Sequence, residues 1–104
     1  MEISSEAYWK AYQQLPPALK EMIFSPDTAE AIWGIAKICE INRTATLAKI
    51  IGDVLSGFLP PKEFKRVAQE QLNLDEERAK KLEIYVNHYI FDLVRDELNQ
   101  LYAE

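Results

Sequence analysis

Metal, disulfide and nucleotide chemistry each need residues that this chain has few of. It holds one cysteine, Cys39, and one histidine, His88, in 104 residues. A single cysteine closes no disulfide within the chain, and one of each cannot complete the four nitrogen and sulfur ligands of a structural zinc site. Glycine occurs three times, never in the spacing of a phosphate-cradling loop. No apolar run approaches the ~20 residues that cross a bilayer. The opening, MEISSEAYWK, is acidic and aromatic rather than basic and then apolar, so no secretory signal is expected there. These scarcities point to a cytoplasmic chain in a reducing compartment, with no metal, no cofactor and no membrane.

Positive charge is also in the minority. Twelve Lys and Arg stand against 17 Asp and Glu, a net charge of −5. The deficit is uneven: residues 1–34 carry two basic and five acidic side chains, and residues 83–104 carry one and five. A chain of this sign repels nucleic acid and anionic lipid at long range. Residues 62–81 hold six basic and five acidic side chains interleaved, the pattern of a solvated, salt-bridged face.

What is abundant is helix. Hydrophobic content of 48% with 28% charged residues is that of a globular chain, and 104 residues make one domain, 1–104. Apolar residues recur at spacings of three and four throughout, predicting an all-α bundle of five or six helices. Ser4 or Ser5 caps the first, which the prolines of Leu15-Pro16-Pro17 end. Pro17 opens a second, to about Phe24. Ser25-Pro26-Asp27 is a helix start in three consecutive residues, with cap, proline and negative charge in order. The third helix should reach about Glu40 and, being apolar on more than one face, sit centrally with Trp33 buried. Thr44 is expected to cap a fourth, in which Gly52 should admit a neighbouring helix or ring. Leu59-Pro60-Pro61 repeats the earlier junction and launches a fifth through Phe64, Val67, Ala68 and Leu72. From Asp75 to Tyr102 a single helix of ~40 Å is expected.

Residues 35–53, IAKICEINRTATLAKIIGD, resemble a helix-turn-helix that reads DNA. Two features oppose that alternative. The turn falls on Glu40 or Ile41, where a glycine able to take positive φ is missing. The segment nets only +1 from Lys37, Arg43 and Lys49 against Glu40 and Asp53, a thin supply of phosphate contacts. No nucleic acid is therefore expected.

Catalysis is not expected either. His88 and Asp92 stand four apart, on one face if the helix is continuous, but no nucleophile turn accompanies them. Cys39 sits in an apolar stripe with no base beside it. No catalytic, cofactor-binding or metal-ligating residue is assigned.

The runs L-P-P-x-L-K-x-x-I-F-S from Leu15 to Ser25, T-A-x-x-I from Thr28 to Ile32, V-L-x-G-x-L-P-P-x-x-F from Val54 to Phe64, and A-x-x-L-x-x-x-V-N-x-x-I-F-x-x-V-R-x-x-L from Ala79 to Leu98 span most of the chain. In these runs it resembles small all-helical proteins of reduced-genome candidate-phyla bacteria, which have no assigned function. The resemblance implies an all-α fold and carries no site residues.

One feature bears on function. Apolar side chains cover most of the last helix between Leu82 and Val94, more than one bundle face needs. Its aromatic members Tyr85, Tyr89 and Phe91 are of types enriched at protein interfaces. They form the candidate interface of a protein-interaction or scaffolding module that binds a protein partner or itself, as a homodimer.

Overall fold

The local starts and stops follow side-chain chemistry. The computed structural model describes residues 4–103; the acidic opening at residues 1–3 and Glu104 lie outside the described residues. Helix α1 (Ser5–Gln14) begins where Ser4 Oγ accepts the Ala7 N–H at 3.1 Å and ends at Leu15, held extended before Pro16. Pro17 opens α2 (Pro17–Phe24), and Ser25 Oγ accepts the Asp27 N–H to start α3 (Pro26–Ile38). Next come α4 (Thr44–Leu55), a 3-10 turn (Pro61–Glu63) running into α5 (Phe64–Gln71), and α6 (Glu76–Tyr89), capped by Asp75. A second 3-10 turn (Phe91–Val94) leads to α7 (Arg95–Leu101). The described residues are all-helical, with seven α-helices rather than five or six.

Three helices stop in the same way. At the ends of α3, α4 and α5 one residue turns left-handed: Glu40 at φ 56°, Gly57 at φ 93° and Asn73 at φ 53°. In each case the next N–H reaches back five residues, as Ile41 does to the Ala36 carbonyl at 2.7 Å. That bond satisfies a carbonyl the helix end would orphan. Glycine and asparagine suit this conformation; glutamate does not. Thr44 proves to be the first helical residue, not the cap, and Arg43 in the cap position makes no side-chain bond to the helix.

Helices α3, α4, α5 and α6 form a closed ring, each against the next, while α2 leans on α3 and α4. The deepest is α4, whose Leu47, Ile50, Ile51, Val54 and Leu55 are all essentially inaccessible. Facing them lie Leu19 of α2, Phe64 and Ala68 of α5, and Leu82 and Val86 of α6. Neither α3 nor the last helix is the central post.

The long terminal helix is broken. Ile90 adopts φ −126°, ψ −65°, so α6 ends at Tyr89 and the chain turns. A straight helix of ~40 Å would overrun a molecule 35 Å in its longest dimension. The turn instead drives Phe91 into the core, edge to face with Phe64 at 5.5 Å between centroids. Arg95 spans the break, donating to Asn87 Oδ1 at 3.1 Å and to Asp92 Oδ1 at 2.6 Å.

Candidate interaction surface

The break decides the fate of the three aromatic residues singled out by the sequence. Phe91 is fully buried and is no surface residue of the monomer. Tyr85 is half-buried and stacks on Tyr89 at 6.0 Å; only Tyr89 is exposed. Tyr89 lines a shallow hollow with Leu93, Met22 and Ala31. His88 and Asp92 fall on either side of Ile90, and Asp92 is taken up by Arg95. The two therefore do not share one continuous helix.

The larger apolar surface lies elsewhere, and sequence periodicity misplaced its chief member. Trp33 is 67% exposed, not buried. The inward stripe of α3 is Thr28, Ile32, Ile35 and Ala36, and Trp33 stands 100° beyond Ile32. It flanks a groove of ≈ 570 Å³ between α3 and α4, closed at one end by Ile23 of α2. Ala29, Ala45, Ala48 and Gly52 keep that groove open. Gly52 admits no helix or ring here: a Cβ built on it meets nothing within 4 Å. Beyond Ile23 the surface continues onto Phe24, 72% exposed, and Trp9, 59% exposed, with Tyr12 in contact with both rings.

On the α1–α4 side of this surface the charges are engaged. Asp53 accepts hydrogen bonds from the Tyr8 hydroxyl and from Lys49 Nζ at 3.3 Å, tying α1 to α4. Burial pushes the Tyr8 phenol up, and the Asp53 carboxylate adds to the shift. For Lys49 burial pulls the other way, but the bond and charge of Asp53 outweigh it, so its pKa rises. At the end of α4, the Tyr102 hydroxyl donates to the Val54 carbonyl at 2.6 Å and accepts the Leu59 N–H at 3.1 Å. Burial lifts its pKa to about 12.

The turn between α3 and α4 is held by cations from α6. Arg78 donates to the Cys39 carbonyl at 3.2 Å and to that of Glu40, and Lys81 reaches the Ile38 carbonyl at 3.5 Å. These positive groups sit at the negative end of α3. Arg43 likewise donates to the Gln71 carbonyl at the end of α5, at 2.8 Å. Glu40 therefore takes the left-handed turn without being glycine, contrary to the sequence argument. Arg43 and Lys49 are both engaged within the chain. Cys39 is buried; burial raises its thiol pKa, against the pull of Lys81 and Arg78.

Among the described residues, no helix is long and apolar enough to cross a membrane, and no group of three or more His, Cys, Asp or Glu is placed to hold a metal ion. No family model, curated protein or solved structure matches the chain.

Proposed function

We propose that this chain is a protein-interaction module that acts by binding rather than by catalysis, in the reducing cytoplasm, with the α2–α3–α4 groove as its docking surface. The observation that carries the reading is the exposure of Trp33 on a groove lined also by Ala29, Ala45, Ala48 and Gly52, adjoined through Ile23 by a second hollow that bears the exposed Trp9 and Phe24. A folded chain leaves such a contiguous apolar patch open when something else covers it. Tryptophan bears a disproportionate share of binding energy where it is desolvated. The groove's shape fits the apolar face of a helix, whose side chains would seat over Ala45, Ala48 and Gly52. Both a helix of another protein and one of a second copy meet that description.

Site-specific photo-crosslinking in the native host tests it. A photoreactive side chain at Ala48 should give adducts of defined mass, and one at exposed Glu77 should give none. The same probe at Tyr89 examines the C-terminal face. Adducts at Tyr89 with none at Ala48 would move the docking surface to α6, and their absence from both would remove the reading.

A further inference from the structure

The outer face of α3 is self-complementary in a way the fold does not require. Glu30, Trp33, Gly34 and Lys37 follow one another at spacings of three, one and three, and all four are exposed. At 100° per residue they share an arc of ~100°. Their order is symmetric about the point between Trp33 and Gly34, with the charge reversed at the two ends. An antiparallel copy of the helix, related by a two-fold axis through that point, would set Glu30 against the second copy's Lys37. Trp33 would lie over the second copy's Gly34, and each contact would occur twice.

Two observations on the monomer stand apart from this symmetry and agree with it. Glu30 and Lys37 enter no ion pair among the described residues, so neither is already held by a charge of its own chain. Gly34 is also unexplained from within. A Cβ there would meet nothing within 4 Å, so any good helix former would fit and would strengthen the exposed helix. A second helix passing close over it supplies the missing reason.

We infer that the chain forms a two-fold dimer in which α3 pairs antiparallel with α3 of a second copy, centred between Trp33 and Gly34. This rests on the reading of the chain as an interaction module, places the contact on the outer face of α3 beside the groove rather than in it, and names the chain itself as the partner there. Isologous pairing is the commonest closed arrangement, and the opposed helix dipoles align favourably. Asp27 would approach the second copy's Glu40 only at the ends, ~10 Å from the axis, where solvent and salt screen them. A 13-residue helix spans ~20 Å and buries well under the roughly 1,600 Å² of a standard interface. The dimer is therefore concentration-dependent, with a Kd of about 10–100 µM.

Sedimentation equilibrium from ~1 µM to ~1 mM, a range set by that Kd, tests the pairing. The mass should climb from 12.0 kDa toward twice that value. Lys37→Glu alone and Glu30→Lys alone should each weaken association about tenfold or more, because each sets like charges together twice. The double reversal Glu30→Lys with Lys37→Glu should restore it to within about threefold, since the pairing is regained. Gly34→Gln should weaken it without lowering the melting temperature. Unchanged far-ultraviolet circular dichroism guards against misfolding. A mass of 12.0 kDa throughout, a dimer indifferent to the single reversals, or one not restored by the double reversal would overturn the inference. A dimer lost in Tyr89→Ala but kept in Lys37→Glu would overturn it too, in favour of the α6 face. If the chain is monomeric while Ala48 still crosslinks to another protein, the interaction reading survives without this one.

Discussion

Phe91 and Trp33 are both large, aromatic and preceded by an isoleucine, yet one is sealed in the core and the other projects into water. Phe91 meets Phe64 edge to face and has no accessible surface. Phe91→Ala should therefore destabilise the chain by about 3–5 kcal/mol, the range for emptying a buried aromatic site. Trp33→Ala should cost under about 1 kcal/mol, because little of its area is removed from water by folding. Denaturant unfolding of the two variants gives both values; similar losses would mean that Trp33 is buried in solution. Periodicity could not separate them. Each belongs to an apolar stripe at helical spacing, and which edge faces inward depends on where the chain bends. The bend at Ile90 has no proline or glycine to mark it, so neither the burial of Phe91 nor the helix break between His88 and Asp92 was legible.

Among elements, the helix starts with a side-chain cap were legible, those of α4 and α7 were not, and the helix ends only in part. Ser4, Ser25 and Asp75 each accept an N–H from the first turn, because a short oxygen-bearing side chain is the chemistry that position needs. Ends are less local. Gly57 and Asn73 carry their own signal for a left-handed residue, but Glu40 does not. What holds Glu40 in place comes from 38 residues away, as Arg78 grips its carbonyl. Since the conformation is strained for a residue with a Cβ, Glu40→Gly should stabilise the chain by about 0.5–1 kcal/mol. A loss of stability would mean that the glutamate side chain matters to the turn. Gly52 presents the opposite case. Its helix is regular and a Cβ has free space, so Gly52→Ala should raise stability by about 1 kcal/mol. The same methyl group projects into the α3–α4 groove, so binding there should weaken as folding strengthens. Gain in both would place the docking surface elsewhere.

Across the whole molecule, two hydroxyls join the chain ends to α4. Tyr8 holds α1 through Asp53, and Tyr102 fixes the end of α7 against the Val54 carbonyl and the Leu59 amide. Neither tie was visible in the sequence, because each joins residues more than forty positions apart. Both give the fold an alkaline weakness, and the sign follows from linkage. A tyrosine is neutral when protonated, and Tyr102 keeps its proton to about 12 in the folded chain against 10.0 ordinarily. Its contribution is complete below pH ~10, where both states are protonated. As pH rises from there to about 12 the unfolded chain releases the proton first, so stability falls across that window. The raised Tyr8 and Lys49 act in the same direction, each losing its contribution as pH passes through the folded value. Tyr102→Phe should cost about 1–2 kcal/mol at neutral pH through the lost hydrogen bonds. It should also lose less than the parent chain between about pH 8 and about pH 11. Denaturant midpoints for both chains at the two pH values supply the comparison, and ultraviolet absorbance should show one late-titrating phenol missing from the variant. Equal alkaline losses in the two chains would mean that the Tyr102 hydroxyl is hydrated in solution, with α7 released from α4.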